Sequence, residues 1–196
     1  DWSSDVCSSD LKPTDWVSGL VVSEKKNGSL RICIDPKPLN QALCRSIYPM
    51  PTMEDVLPRL NNAKVFTVCD VKNGFWHVRL DEASSELTTF ATPYGRYKWT
   101  RLPFGVSTAP EIFQRKLDEC ILDLPCVARI VDDLLIWGEG ETMDDAIPHH
   151  DQNLEHLLDR ARSRSLKLNP EKFNFRKTEV RFAGYILTNQ GHKPDA

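Results

Sequence analysis

The chain has 196 residues, 40% of them hydrophobic, and a formal net charge of −3, enough apolar content for one sizeable core or for two subdomains sharing one. No apolar run approaches the ~18 residues of a membrane span and no secretory signal is visible, so a soluble intracellular protein without a membrane partner is expected. Six cysteines, Cys7, Cys33, Cys44, Cys69, Cys120 and Cys126, form no CxxC pair, and several lie in apolar runs, so buried free thiols are expected rather than disulfides or zinc ligands.

Residues Asp1 to Leu11 match, in frame, the translation of a common sequencing adaptor, resemble an assembly artefact, and are left out of the fold reading. The segment carries Asp1, Asp5 and Asp10 and no Lys or Arg, so without it the formal charge rises from −3 to zero. A neutral domain has no global nucleic-acid signature, and any such binding must come from local basic patches. One follows at once. Trp16 to Val22 and Leu30 to Ile34 are strand candidates around an Asn27-Gly28 turn, and Lys25, Lys26 and Arg31 sit near the tip. The hairpin reads equally as a phosphate grip or as an edge hairpin kept soluble by charge.

Asp35 to Asn40 breaks the second strand, Tyr48 to Pro51 is extended, and Thr52 caps a helix reaching about Leu60. Lys64 to Asp70 is an apolar strand ending in an acid, followed by Asn73-Gly74 turn chemistry. Phe75 to Leu80 reads as helix or strand alike. Glu86 to Ala91 and Gly95 to Thr100 are expected strands around a Pro93-Tyr94-Gly95 turn, and Thr108 caps a helix over about Ala109 to Leu122, with Pro110 in its first turn.

Arg129 to Gly138 holds Asp132 and Asp133 between two apolar runs of strand-forming length. Asp is rarely buried unless it is paired or binds a metal, so a hairpin with the doublet at its turn, facing a divalent cation, is the economical reading. An exposed Asp-Asp turn is the alternative, and Asp144-Asp145, in a polar run, is read as merely solvated. What raises the first pair is Asp70 in similar surroundings. Asp70 and Asp132 on neighbouring strands, with Asp133 beside them, could hold two Mg²⁺ ions roughly 3.5–4 Å apart, the spacing used for in-line phosphoryl transfer. Then come an amphipathic helix from His149 to Leu168, with His149, His150 and His156 on its solvated side and a metal role for them disfavoured because no matching Cys or Glu pattern accompanies them, and a last hairpin from Lys172–Phe175 and Val180–Ile186.

The order strand-Asp70, Leu102-Pro103-Phe104-Gly105 before a helix, Val131-Asp132-Asp133, Leu168-Asn169-Pro170-Glu171-Lys172 and Phe182-Ala183-Gly184-Tyr185 resembles the reverse transcriptases of gypsy-type long-terminal-repeat retrotransposons, from Lys12 to Ala196. The resemblance implies an α+β right-hand polymerase with an antiparallel palm sheet packed on helices. It places fingers over 12–60 and 81–110 and palm over 61–80 and 111–196, with no thumb or ribonuclease H region. Asp70, Asp132 and Asp133 would bind two Mg²⁺, with Mn²⁺ as a substitute. Lys25, Lys26, Arg31, Val71, Phe75, Phe104 and Gly105 would contact the nucleotide, with Phe75 blocking a ribose 2′-hydroxyl. Phe182, Gly184 and Tyr185 would hold primer and template, and Lys172 would give a proton to pyrophosphate. Implied partners are an RNA or DNA template, a DNA or RNA primer and deoxynucleoside triphosphates, within a cytoplasmic retroelement particle. The sequence departs from the family pattern at Ile130, where an aromatic is usual, at Lys37 in place of Arg, flanked by Pro36 and Pro38, and at Ala183. A two-metal nuclease or phosphatase, and a catalytically dead fragment that at most binds nucleic acid, are the other readings of these residues.

Overall fold

The computed structural model describes residues 5–9, 13–24, 28–45 and 47–195. In chain order the elements are β1 (Cys7–Ser9), β2 (Gly19–Glu24), β3 (Leu30–Asp35), α1 (Lys37–Ala42), α2 (Met53–Val56), β4 (Ala63–Asp70), α3 (Glu82–Leu87), β5 (Phe90–Thr92), β6 (Gly95–Trp99), α4 (Ala109–Ile121), β7 (Val127–Ile130), β8 (Asp133–Glu139), α5 (Met143–Ser163), β9 (Asn174–Lys177), β10 (Glu179–Phe182), β11 (Tyr185–Thr188) and β12 (Gly191–Pro194). Short 3₁₀ turns at Leu57–Leu60, Gly74–His77 and Pro170–Lys172 complete them. Among the described residues no helix is long and apolar enough to cross a membrane.

The chain divides into two compact units, one from Asp1–Tyr48 and Asn73–Phe113, the other from Pro49–Lys72 and Gln114–Ala196. In the first unit β2 and β3 form an antiparallel hairpin, and β1, β6 and β5 a three-stranded sheet. Residues 5–9, left out of the reading from sequence, are placed against β6. Cys7 to Ser9 pair with Trp99 to Tyr97, and Val6 is buried with Ile34, Phe90, Trp99, Leu102 and Val106. Any short segment that offers backbone hydrogen bonds and one apolar side chain can cover the edge of β6. Glu82–Leu87 is helical where a strand was expected to begin at Glu86. The Asp81 carboxylate accepts from the Ser84 amide at 2.7 Å, and such a cap outweighs the weak β-propensity downstream. The second strand breaks at Asp35 as expected, and α1 follows it, with Pro38 in its first turn.

The second unit is built on the antiparallel sheet β7-β8-β4-β9. Val65 to Asp70 and Leu134 to Gly138 are buried throughout, since both faces of the sheet are covered. On one face Phe66, Val68, Leu135 and Trp137 pack with Met53 and Val56 of α2 and with Val180, Phe182 and Leu187 of β10 and β11. On the other face lies α5. That helix begins at Met143, six residues before the expected start, because Thr142 and Asp145 form a capping box. Asp145 is therefore a cap rather than an idle solvated acid. The approach of α5 is set by Gly138, where an added Cβ would lie 2.1 Å from the Ala146 carbonyl oxygen. Towards the C-terminus β9 pairs with β4, and the final sheet is β10-β11-β12, so Lys172–Phe175 and Val180–Ile186 do not pair with each other as expected. Of the six thiols only Cys69 is buried; Cys7 and Cys44 are exposed, and Cys33, Cys120 and Cys126 are half-buried.

His150 corrects the expectation of a solvated histidine row. It is fully buried, its Nε2 lies 2.7 Å from Thr67 Oγ1, and its Nδ1 lies 3.0 Å from Asp151. Asp151 also pairs with Arg176, whose backbone amide donates to Thr67 Oγ1 at 3.1 Å, so one network ties β4, α5 and β9 together. Burial lowers the His150 pKa from 6.5, against the opposing pull of Asp151. A histidine whose folded pKa lies below its unfolded value gives stability that is complete above pH 6.5 and is lost as pH falls. The thermal midpoint should therefore drop between pH 7.5 and pH 5.5, and His150→Gln, although less stable at pH 7.5, should show a smaller drop over that window. An equal drop in both proteins would remove His150 as its cause.

Candidate functional site

Strand register puts two carboxylates face to face. Asp70, last in β4, is the cross-strand partner of Asp133, first in β8, so their side chains leave the same face of the sheet. Asp132 belongs to the two-residue loop, Val131 and Asp132, between β7 and β8. The Val71 amide donates to the Asp132 carbonyl at 3.0 Å, which fixes the loop against the end of β4. Val131 has φ of +56°, a left-handed conformation that a β-branched residue adopts only at a cost of ~1–3 kcal/mol. The backbone is thus strained immediately before the doublet.

Asp70 is 6% exposed, whereas Asp132 and Asp133 are exposed. Partial burial, then Asp132, then Asp70, raise the Asp133 pKa, and Lys172 opposes them. Lys172 Nζ donates to Asp70 Oδ2 at 2.6 Å, and this hydrogen bond raises the lysine's own pKa. The lysine is delivered by a segment fastened to β4: Asn169 N–H donates to the Asp70 carbonyl, and the Asn169 side chain accepts from the Glu171 amide. That fastening follows from Asn169-Pro170 turn chemistry, yet nothing in the sequence said which strand it would meet. The other Asp70 oxygen, Oδ1, is buried without a hydrogen-bond partner. No choice of one oxygen from each aspartate brings all three within 4.8 Å of one another. A buried Asp70 oxygen with an unsatisfied lone pair, beside the negative charge of Asp132 and Asp133, suits a hard divalent cation.

Other residues singled out in the sequence gather in the first unit. Asn73, with φ of +52°, turns the chain into the Gly74–His77 turn, and Gly74 lets the Phe113 ring approach, since a Cβ there would lie 2.8 Å from it. The Phe75 ring packs 4.8 Å from Phe104 and 5.8 Å from Phe113, centroid to centroid. The Arg31 guanidinium lies 5.5 Å from the Phe104 ring centre, a cation-π contact. Gly105, with φ of +111°, admits no side chain, for a Cβ would stand 1.9 Å from the Ile34 carbonyl oxygen. Asn40, which sequence reasoning passed over, clamps this loop through the Gly105 carbonyl and the Ser107 amide. Lys25 and Lys26 lie outside the described residues.

Ala183 and Gly184, both at positive φ, form the β10–β11 turn in the pattern of a type I′ hairpin. The Phe182 ring is buried in the core of the second unit, and Tyr185 is half-buried beside it. Phe182 thus anchors the hairpin, and a direct primer contact from its ring is not what the packing shows.

Residues 23–187 match the family described as reverse transcriptase (RNA-dependent DNA polymerase). The chain is 37% identical over 175 residues to the retrovirus-related Pol polyprotein from transposon 412 of Drosophila melanogaster, covering 88% of this chain and 14% of that protein. It is 35% identical over 173 residues to the Pol polyprotein from transposon gypsy of the same organism, covering 86% and 16%. With the enzymatic polyprotein of Cauliflower mosaic virus it shares 33% over 175 residues, covering 88% and 25%. The chain therefore spans a quarter or less of the length of these relatives. Among solved structures, a foamy viral protease-reverse transcriptase in complex with double-stranded DNA aligns with a TM-score of 0.85 at 21% identity, covering 97% of this chain and 32% of that one. The same viral protein in complex with an RNA/DNA hybrid aligns at 0.76 with 22% identity, covering 95% and 24%. These likenesses give the fold as the fingers and palm of a right-hand polymerase. The chain belongs to the reverse transcriptase (RNA-dependent DNA polymerase) family, with relatives among the gypsy-type retrotransposons.

Proposed function

We propose that this chain is the fingers and palm of an RNA-directed DNA polymerase, which adds deoxynucleotides to a primer 3′ end on an RNA or DNA template. The observation that carries the reading is the pairing of Asp70 with Asp133 at the end of an otherwise apolar sheet, with one Asp70 oxygen buried and unpartnered. Family membership implies a divalent metal requirement, and Asp70, Asp132 and Asp133 are the residues that would hold two Mg²⁺, or Mn²⁺ in their place. When bound, such ions acidify a primer 3′-hydroxyl and neutralise charge on the triphosphate.

The chain's own residues supply the rest. Lys172, kept protonated by Asp70, is a proton source for the departing pyrophosphate. Arg31, stacked on Phe104, offers a guanidinium whose orientation is already restricted, which suits a phosphate. The Phe75 ring, wedged against Phe104 and Phe113, cannot swing away, so a ribose 2′-hydroxyl against it would clash. A nuclease built on the same carboxylates would leave Phe75 and Arg31 without a role. Primer, template and deoxynucleoside triphosphates follow from this reading as partners, within a cytoplasmic retroelement particle.

With Mg²⁺ and deoxynucleotides, the chain should extend a DNA primer on an RNA template. Asp132→Asn should lower the rate by at least about 10³-fold, consistent with loss of charge stabilisation at the reacting phosphate, while leaving the circular dichroism spectrum unchanged. Extension at an undiminished rate by a folded Asp132→Asn protein would rule out the aspartates as the centre of the chemistry. Phe75→Val should raise ribonucleotide incorporation relative to deoxynucleotide by about 10²-fold or more, the scale of a removed steric clash. Unchanged sugar discrimination would show that Phe75 is only a packing residue.

A further inference from the structure

At the opposite end of the β7–β8 hairpin from Asp132 and Asp133, three different ligand types meet. Cys126 immediately precedes β7, Glu139 ends β8, and His149 lies in the second turn of α5. One ligating atom from each, sulfur, carboxylate oxygen and ring nitrogen, lies within 4.8 Å of the other two. All three residues are half-buried.

Their convergence has identifiable causes. The Cys126 carbonyl accepts from the Trp137 amide, which carries the β7–β8 ladder one residue beyond β7. Cys126 itself sits at φ of +50°, a conformation uncommon outside glycine and asparagine. Gly138 and Gly140 let α5 lie almost against the end of β8, since a Cβ at Gly140 would stand 2.7 Å from the Asp145 Cβ. His149 Nδ1 consequently lies 3.2 Å from both the amide nitrogen and the carbonyl oxygen of Glu139. The Glu139 carboxylate is oriented by the Trp137 indole N–H, which donates to Oε1 at 2.8 Å. A backbone contact that orients a histidine and an indole that orients a carboxylate are the kind of outer contacts that hold metal ligands in place.

We propose that Cys126, Glu139 and His149 form a zinc site that fastens the start of β7, the end of β8 and α5 together. A thiolate, an imidazole and a carboxylate suit Zn²⁺, and the soft sulfur disfavours Mg²⁺, so this site and the aspartates take different ions. Without metal, the Cys126 thiol donates to Glu139 Oε1 at 3.7 Å. On binding, the sulfur–hydrogen bond breaks, sulfur keeps the electron pair and bonds Zn²⁺, and the proton passes to solvent. Three protein ligands leave a fourth position to water.

Co²⁺ alone is the direct probe, added to the reduced full chain with Mg²⁺ in excess. The expected result is a near-ultraviolet thiolate-to-cobalt charge-transfer band that saturates at one equivalent and is removed by one equivalent of Zn²⁺. Cys126→Ser should abolish the band, His149→Gln should weaken Co²⁺ affinity by more than about tenfold, and Cys120→Ser should leave both untouched. Zn²⁺ should raise the thermal midpoint of the wild-type chain but not of Cys126→Ser. Absence of the band in the wild-type chain, or its survival in Cys126→Ser, would overturn the proposal. Because the wild-type spectrum alone can refute it, a variant that fails to fold does not shield it.

Discussion

Two carboxylates facing each other at the end of a buried sheet are the constraint on which the second unit of this protein depends. Like charges directly across an antiparallel pair repel, and Asp70 is also held out of water, so the arrangement persists only because its surroundings overdetermine it. Phe66 to Cys69 pair in turn with Trp137 to Leu134, and a slip of one residue between the strands would put Asp70 and Asp133 on opposite faces. Lys172 supplies the counter-charge from a separate segment, tied to β4 through Asn169. The strain at Val131 is tolerated because the Val71 amide and the β7–β8 ladder leave the loop no alternative path.

Close approach is the second theme of the packing. Gly138, Gly74 and Gly105 each sit where a Cβ would run into a carbonyl oxygen or a ring, so α5 on the sheet, the Phe75 turn on Phe113, and the Phe104 loop on Ile34 are nearer than any alanine would permit. Behind the Asp132-Asp133 turn, the buried Arg129 guanidinium is gripped by both oxygens of Asp118, joining β7 to α4. Removing one partner of such a pair would strand a buried charge, at a cost of about 3–5 kcal/mol.

Much of this was legible in the residues alone. An acid that ends an apolar strand is expensive to bury, and that cost marked Asp70, Asp132 and Asp133 before any fold was known. Turn chemistry at Asn73-Gly74 was readable locally, whereas Ala183-Gly184, taken into a single arm from Val180 to Ile186, is itself the turn between β10 and β11. What escaped was set by distant partners. His150 lies on a helix whose polarity suggested solvent, yet Thr67 and Asp151 satisfy both its ring nitrogens in the interior. The start of α5 was hidden because the Thr142–Asp145 box that begins the helix lies in a polar run resembling a loop. Residues 7–9 carry almost no strand signal of their own, and the strand expected at Lys172–Phe175 lies at 174–177 and pairs with β4 rather than with Val180–Ile186, because an open edge accepts each of them. Cys126, Glu139 and His149 follow no ligand-spacing pattern in sequence, since three elements deliver them separately.

The central claim, that the aspartates at the end of β4 and β8 hold the ions for nucleotidyl transfer, is tested most directly by counting those ions. Titration with Mn²⁺, followed by electron paramagnetic resonance in the presence of primer-template and a non-hydrolysable deoxynucleoside triphosphate, should give two bound ions per chain. Asp70→Asn, folded by circular dichroism, should lose at least one of them. An equal count and affinity in the wild-type and Asp70→Asn chains would contradict the account, because the ions would then be held elsewhere.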